Sequence, residues 1–149
     1  MLVDDHEVLR EGLKSLLLKA RPEWEITGEA RDGVQAIQLV TELKPDLVVL
    51  DISMPVMSGL EAASQMRKKG INVPLLIFTT HESDRLETEV RRAGAQGYVL
   101  KSQAARNLVL AMDALLGGGT FFGEPQKKAR EDDKPNPGLI FFRGLEFAF

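Results

Sequence analysis

The fold is decided by residues 47–55, Leu-Val-Val-Leu-Asp-Ile-Ser-Met-Pro, in which four apolar residues lead into Asp51. A short continuous apolar run is typical of a strand that is buried on both faces of a parallel sheet. Open α/β sheets bind their ligands in a crevice at the carboxyl ends of the strands. Asp51 is therefore predicted to lie in such a crevice, where a nucleophile belongs.

Three other apolar segments also end at polar residues. These are 2–3, followed by Asp4 and Asp5; 75–78, followed by Thr79 and Thr80; and 97–100, followed by Lys101. Parallel strands end at one edge of their sheet. We therefore expect three carboxylates, a hydroxyl and an ammonium group to gather at this edge.

Strand-like and helix-like patterns alternate along the chain. A half-buried strand is predicted over 24–28, a helix over about 59–69 and a last helix over 104–116, where apolar residues recur at helical spacing. Such an order predicts an α/β fold, a doubly wound five-stranded parallel sheet with helices on both faces.

Composition excludes several classes of protein. The 149 residues carry a net charge of -3 and no cysteine, which excludes disulfides and thiolate metal sites. Lys and Arg form no strongly basic cluster for nucleic acid, and no apolar run is long enough to span a bilayer. We expect no membrane partner, and the cytoplasm is the default location.

The two ends of the chain differ from its middle. The first strand has only three residues before the acidic pair, so it is expected to be shortened. From Glu124 onward a charged run, prolines and then phenylalanines follow one another. We expect one domain over 1–123, then a linker and Phe-rich tail of unknown role over 124–149.

Crowded carboxylates need a cation. Two unit charges about 5 Å apart repel by roughly 3 kcal/mol at the effective dielectric of a protein site, so Asp4, Asp5 and Asp51 together favour a bound ion. Hard oxygen ligands favour Mg²⁺, which often binds through one or two carboxylates and a phosphoryl oxygen. A phosphoryl group on Asp51 would also meet Lys101 and the hydroxyl of Thr79.

Four separated motifs resemble bacterial response-regulator receiver domains. They are Leu-Val-Asp-Asp-His (2–6), Leu-Asp-Ile-Ser-Met-Pro-Val-Met-Ser-Gly (50–59), Phe-Thr-Thr (78–80) and Gly-Tyr-Val-Leu-Lys-Ser (97–102). The opening Asp-Asp-His, Gly-Glu-Ala-Arg-Asp-Gly (28–33) and Lys-Ser resemble the subclass usually joined to a LuxR-type (NarL/FixJ-like) helix-turn-helix. The resemblance implies a flavodoxin-like fold with strand order 2-1-3-4-5.

It also implies a phosphoacceptor site. Asp51 would accept a phosphoryl group from a sensor histidine kinase, in a two-component system that usually regulates transcription. Asp5 would bind Mg²⁺ directly, Asp4 would bind it through water, and Asp51 and the backbone carbonyl of Ser53 would complete the protein ligands.

The family's switch residues have counterparts here. Thr79 would move toward the phosphoryl group, Tyr98 would turn inward, and Lys101 would pair with the phosphate. The resulting change would alter a protein surface, expected to be that of a homodimer involving the last helix. Such a module phosphorylates and dephosphorylates itself but is not otherwise an enzyme.

Residues beside the pocket are expected to modulate it. Met54 flanks the acceptor loop, although Met is also a flexible packing residue. Thr80 and His81 follow the predicted switch threonine, and His81 is expected to influence how fast phospho-Asp51 hydrolyses.

Other interpretations remain. Asp51 could merely cap a turn, and Asp4 and Asp5 could cap the first helix. A haloacid-dehalogenase-like hydrolase normally has a second Asp two residues after its nucleophile, where this chain has Ser53. A phosphate-independent interaction module would lack at least one acceptor or switch residue, yet all are present. No helix-turn-helix pattern follows Glu124, so this chain does not support DNA binding.

Overall fold

A computed structural model describes residues 1–122 of the chain. Strands and helices alternate over this range, as the sequence predicts. The elements are β1 Leu2–Val3, α1 Glu7–Ala20, β2 Glu29–Ala30, α2 Gly33–Leu43, β3 Val48–Leu50, α3 Gly59–Lys68, β4 Leu75–Thr79, α4 Leu86–Arg92, β5 Gly97–Leu100, α5 Ala104–Leu116 and β6 Phe121–Phe122. The linker and Phe-rich tail predicted over 124–149 lie outside the described residues.

The sheet is parallel, with strand order β2-β1-β3-β4-β5-β6. The predicted α/β class and the order 2-1-3-4-5 are confirmed, but the predicted number of five strands is wrong. The sixth strand is Phe121–Phe122, which pairs with β5. It lies close to β5 because Gly97 has no side chain: a Cβ there would lie 2.2 Å from the carbonyl oxygen of Phe121.

The second strand lies later than predicted. Residues 24–28 are irregular, and the strand is Glu29–Ala30. Trp24 and Ile26 are half-buried packing residues beside α1 and α5, which explains the alternating pattern without a strand. The backbone N–H groups of Leu2 and Asp4 donate hydrogen bonds to the carbonyls of Gly28 and Ala30, which joins this part of the chain to β1.

The core has one layer on each face of the sheet. Helices α2, α3 and α4 cover one face, and their buried residues include Val40, Met66 and Val90. Helices α1 and α5 cover the other face, where Leu17 and Leu108 are buried. The strands are therefore covered on both faces, as their apolar runs predict.

The first strand is short and central. Leu2 and Val3 are buried and pair with β2 on one side and β3 on the other. Asp4 and Asp5 follow directly, so β1 delivers two carboxylates to the carboxyl edge of the sheet. Within residues 1–122 no helix is both long and apolar enough to cross a membrane.

Candidate functional site

The centre of the site is a lysine between two buried carboxylates. Lys101 follows β5 on a single 3-10 turn, and its Nζ donates a hydrogen bond to Asp4 Oδ2 at 2.7 Å. The same nitrogen lies 3.2 Å from Asp51 Oδ2. The side chains of Asp4 and Asp51 are only 4% and 5% exposed. Three strands, β1, β3 and β5, therefore bring their terminal charges into direct contact.

A second set of acidic contacts extends this centre toward solvent. His6 Nδ1 lies 2.8 Å from Asp4 Oδ1 and 3.1 Å from Asp5 Oδ1. One ligand atom from each of Asp4, Asp5, His6 and Asp51 lies within 4.8 Å of the others. The structure thus brings together the three carboxylates that the sequence predicts as metal ligands, and adds an imidazole.

This set of donors fits Mg²⁺. Carboxylate oxygens dominate it, and hard oxygen ligands are those that Mg²⁺ prefers. Asp5 is exposed while Asp4 and Asp51 are buried, so one side of the cluster is open to solvent. Mg²⁺ usually keeps several waters, which such an open side allows.

The two buried carboxyl groups differ in basicity. Burial raises the pKa of Asp4, but hydrogen bonds from Lys101 and from the backbone and ring of His6 outweigh burial and leave this pKa below its ordinary value. Burial, and then the charge of Asp4, raise the pKa of Asp51 above its ordinary value despite the opposing charge of Lys101. Asp51 is therefore the more basic of the two carboxylates.

The backbone around Asp51 is tightly constrained. A Cβ at Gly59 would lie 1.8 Å from the carbonyl oxygen of Asp51, so α3 begins in direct contact with the backbone after β3. The Gly59 N–H donates to the carbonyl of Ile52 at 2.9 Å. Ser58 caps the helix by accepting a hydrogen bond from the N–H of Glu61. The glycine at the end of the 50–59 motif is thus required by packing.

The loop between Asp51 and Gly59 contains a strained residue. Val56 has a φ of +68°, a region that β-branched residues rarely adopt. The N–H of Met57 donates to the carbonyl of Pro55 at 2.7 Å, which closes a three-residue turn around Val56. Val56 is 83% exposed, so its side chain gains little from packing.

Thr79 lies at the end of β4 and is completely buried. Its Oγ1 accepts a hydrogen bond from the N–H of His81 at 3.1 Å. The His81 ring in turn lies with its Nε2 2.7 Å from Ser53 Oγ. The predicted modulator His81 therefore connects the loops that follow β3 and β4.

The other predicted modulators, Met54 and Thr80, are the sequence neighbours of Ser53 and His81. Met54 is half-buried and packs against the core layer under α2, α3 and α4. Thr80 is exposed. Met54 accordingly contributes to packing.

Tyr98 lies on β5, two strands from Asp51 in the sheet order. It is half-buried, and its ring meets that of Phe122 edge to face, with centroids 6.4 Å apart. Burial, and then the charges of Glu87 and Glu82, raise the pKa of the Tyr98 phenol. Its hydroxyl is thus expected to remain protonated at neutral pH.

Sequence reasoning missed Arg10. This arginine of α1 is only 5% exposed. Its Nη1 donates to the backbone carbonyl of Asp4 at 2.5 Å, and its Nε donates to Glu29 Oε1 at 3.1 Å. Arg10 therefore links the backbone of Asp4, at the end of β1, to the side chain of Glu29 in β2. The only signal in the sequence is a charged residue beside the apolar stripe of α1.

The family of the chain follows from comparison with known proteins. Residues 1–113 match the model of the response regulator receiver domain. The chain belongs to this family and is a receiver domain of two-component systems.

The chain is similar to longer regulatory proteins. The chain is 44% identical over 118 residues to the transcriptional regulatory protein YdfI of Bacillus subtilis (strain 168). The matched region covers 79% of this chain and 54% of YdfI. It is 38% identical over 126 residues to the nitrate/nitrite response regulator protein NarL of Escherichia coli (strain K12), covering 83% of this chain and 57% of NarL. The chain thus spans about half the length of these relatives.

Solved structures agree with this assignment. A two-component response regulator of the LuxR family from Aurantimonas sp. SI85-9A1 superimposes with a TM-score of 0.76 at 33% identity, covering 100% of this chain and 96% of that one. A DNA-binding response regulator of the LuxR family from Staphylococcus aureus gives a TM-score of 0.69 at 31% identity, covering 77% of this chain and 97% of that one. The predicted resemblance is confirmed, and the receiver family displaces the hydrolase alternative.

Proposed function

We propose that Asp51 is the phosphoacceptor of this receiver and that a sensor histidine kinase is its phosphodonor. The contact of Lys101 with both Asp4 and Asp51 carries this proposal, because it places a cation beside a buried carboxylate. Lys101 offsets the negative charge that arrives with the phosphoryl group.

The transfer forms one bond and breaks another. A carboxylate oxygen of Asp51 attacks phosphorus, the phosphorus–nitrogen bond of the kinase phosphohistidine breaks, and an acyl phosphate forms. When bound, Mg²⁺ supplies positive charge that offsets the phosphoryl oxygens and the carboxylates. In this proposal Asp5 binds the ion directly, Asp4 binds it through water, and Asp51 and the carbonyl of Ser53 are the other protein ligands.

The new charge would then change the positions of the switch residues. Thr79 turns its hydroxyl from the N–H of His81 toward the phosphoryl group, and Tyr98 turns inward. Both movements favour a second conformation of the surface formed by α4, β5 and α5. Self-phosphorylation and hydrolysis of the acyl phosphate are the only reactions that this proposal assigns to the chain.

The output proposed for this switch is a homodimer that involves α5. This helix exposes Leu110 and Leu116, which are 57% and 42% exposed. Transcriptional regulation is what the name of YdfI says of that longer protein, and we extend it to this chain as part of the proposal. A cytoplasmic location goes with it, because a cysteine-free chain needs no oxidising compartment.

Incubation with Mg²⁺ and acetyl phosphate, followed by intact-mass measurement, tests the proposal. The wild type is expected to gain the mass of one phosphoryl group, and Asp51→Asn is expected to gain none. The rate at which the added mass is lost, compared between the wild type and His81→Ala, measures the predicted influence of His81 on hydrolysis. Sedimentation of the same samples measures dimerisation. Equal gain in Asp51→Asn would identify another acceptor, and no gain in the wild type would favour a phosphate-independent module.

A further inference from the structure

The sixth strand carries two phenylalanines that face opposite sides of the sheet. Phe121 packs against the core layer under α1 and α5. Phe122 packs against the layer under α2, α3 and α4, on the side where Tyr98 lies. Both residues are half-buried. The chain therefore offers two chemically identical side chains, one beside the proposed switch tyrosine and one away from it.

Phe122 contacts two separate parts of the proposed switch surface. Its ring meets Tyr98 of β5 at a centroid distance of 6.4 Å and an interplanar angle of 67°. The guanidinium carbon of Arg91, on α4, lies 3.6 Å from the centroid of the Phe122 ring. Arg91 also donates two hydrogen bonds to Glu87 Oε1, from Nε at 3.1 Å and from Nη2 at 2.9 Å. Phe122 is thus packed between α4 and β5.

The position of Phe122 is determined by the backbone as well as by these rings. Phe121 pairs with Gly97 and Phe122 pairs with Tyr98 in the parallel register of β5 and β6. The Phe121 N–H donates to the carbonyl of Gln96 at 3.0 Å. A side chain at Gly97 would collide with the carbonyl oxygen of Phe121, so β6 requires glycine at this position.

We propose that Phe122 is a positioning residue for Tyr98: it holds the tyrosine in the half-buried position of the unphosphorylated receiver and is released from it when Tyr98 turns inward. This inference rests on the proposed function of Asp51 and Tyr98. Because β6 is held on the sheet partly through Phe122, phosphorylation would loosen β6.

The physical reason is a difference between two states. The edge-to-face pair exists only while Tyr98 keeps its present position, so it stabilises the unphosphorylated conformation alone. Removing the Phe122 ring removes this preference. Loss of one aromatic pair is expected to change the equilibrium between the two positions of Tyr98 about threefold. Phosphorylation by acetyl phosphate should become faster by about that factor, because more of the protein has Tyr98 turned inward.

Tyr98 is the only tyrosine of the chain, which makes the test direct. Protein containing 3-fluorotyrosine gives a single ¹⁹F resonance, recorded with Mg²⁺ before and after addition of beryllofluoride, an analogue of the phosphoryl group. Phe122→Ala is expected to shift the resonance of the unmodified protein toward its beryllofluoride position and to speed labelling of Asp51 about threefold. Phe122→Leu, which keeps apolar volume but no ring, is expected to give an intermediate shift and carries the test if the alanine variant does not fold.

Phe121→Ala is the matched control, because it removes the same ring from the other face of the same strand. It is expected to leave the ¹⁹F resonance and the labelling rate unchanged. Gly97→Ala displaces β6 and is expected to reproduce the effect of Phe122→Ala. If Asp51 is labelled normally but the Phe121 and Phe122 variants behave alike, this inference is wrong and the proposed function stands. Absence of labelling in the wild type would instead overturn the proposed function.

Discussion

At the carboxyl edge of the sheet Lys101 lies between two buried carboxylates, whereas on α1 Lys14 lies between two that are more exposed. The side chains of the first pair are 4% and 5% exposed. Those of Glu11 and Glu29, the partners of Lys14, are 63% and 32% exposed. The two lysines therefore have partners of the same kind and number but differ in how far water reaches them.

Exposure decides what each lysine contributes to stability. At the carboxyl edge each charge has an opposite charge in contact, so removing one partner should be costly. Around Lys14 water solvates the charges that remain, so the same change should cost little. The buried site is therefore the more sensitive to loss of its cation.

The largest expected effect comes from removing the cation of the carboxyl edge. In Lys101→Met two neighbouring buried carboxylates lose their common partner, and the free energy of unfolding should fall by about 3 kcal/mol in the presence of a chelator. Urea unfolding at neutral pH measures this loss. Added Mg²⁺ should restore part of it, because the ion offsets the same carboxylates.

Lys14→Met is the matched control for that variant. Lys14 Nζ also lies between two carboxylates, 2.6 Å from Glu11 and 3.0 Å from Glu29, but these groups are more exposed. Exposed ion pairs contribute little to stability, so this variant should lose little. Equal losses in the two variants would mean that burial does not distinguish the sites.

The smallest expected effect concerns the strained turn of the carboxyl edge. Asn adopts positive φ more readily than a β-branched residue does, so Val56→Asn should raise the free energy of unfolding by about 0.5 kcal/mol. Thermal unfolding measures the gain. Val34→Asn, at an exposed valine of α2, is the control and should give no gain.

The sequence predicted where the polar strand ends gather better than it predicted the number and bounds of the strands. Apolar runs that end at Asp51, Thr79 and Lys101 indicate buried strands and polar ends, and the structure places all three at one edge. Their roles as phosphoacceptor and switch residues remain predictions. The bounds of α5 agree with the predicted helix over 104–116 because its glycine end and apolar spacing are both local signals.

The errors occurred where local pattern is weakest. The strands β2 and β6 have two residues each, too few to show a periodicity of their own. Trp24 and Ile26 alternate because they pack beside α1 and α5, and this pattern resembled a strand. Arg10 looked like an ordinary surface charge until its contacts with the Asp4 carbonyl and Glu29 showed that it is buried.

Local features of the amino-acid sequence were enough to predict the alternation of strands and helices, the parallel sheet and the gathering of polar residues at its carboxyl edge. These follow from apolar spacing and from the polar residue after each run, which are properties of neighbours along the chain. Tertiary structure alone decided the pairing of Lys101 with Asp4, the support by Arg10 and the position of Phe122 against Tyr98. Each of these depends on distances between residues far apart in sequence, and such distances exist only once the helices have packed on the sheet.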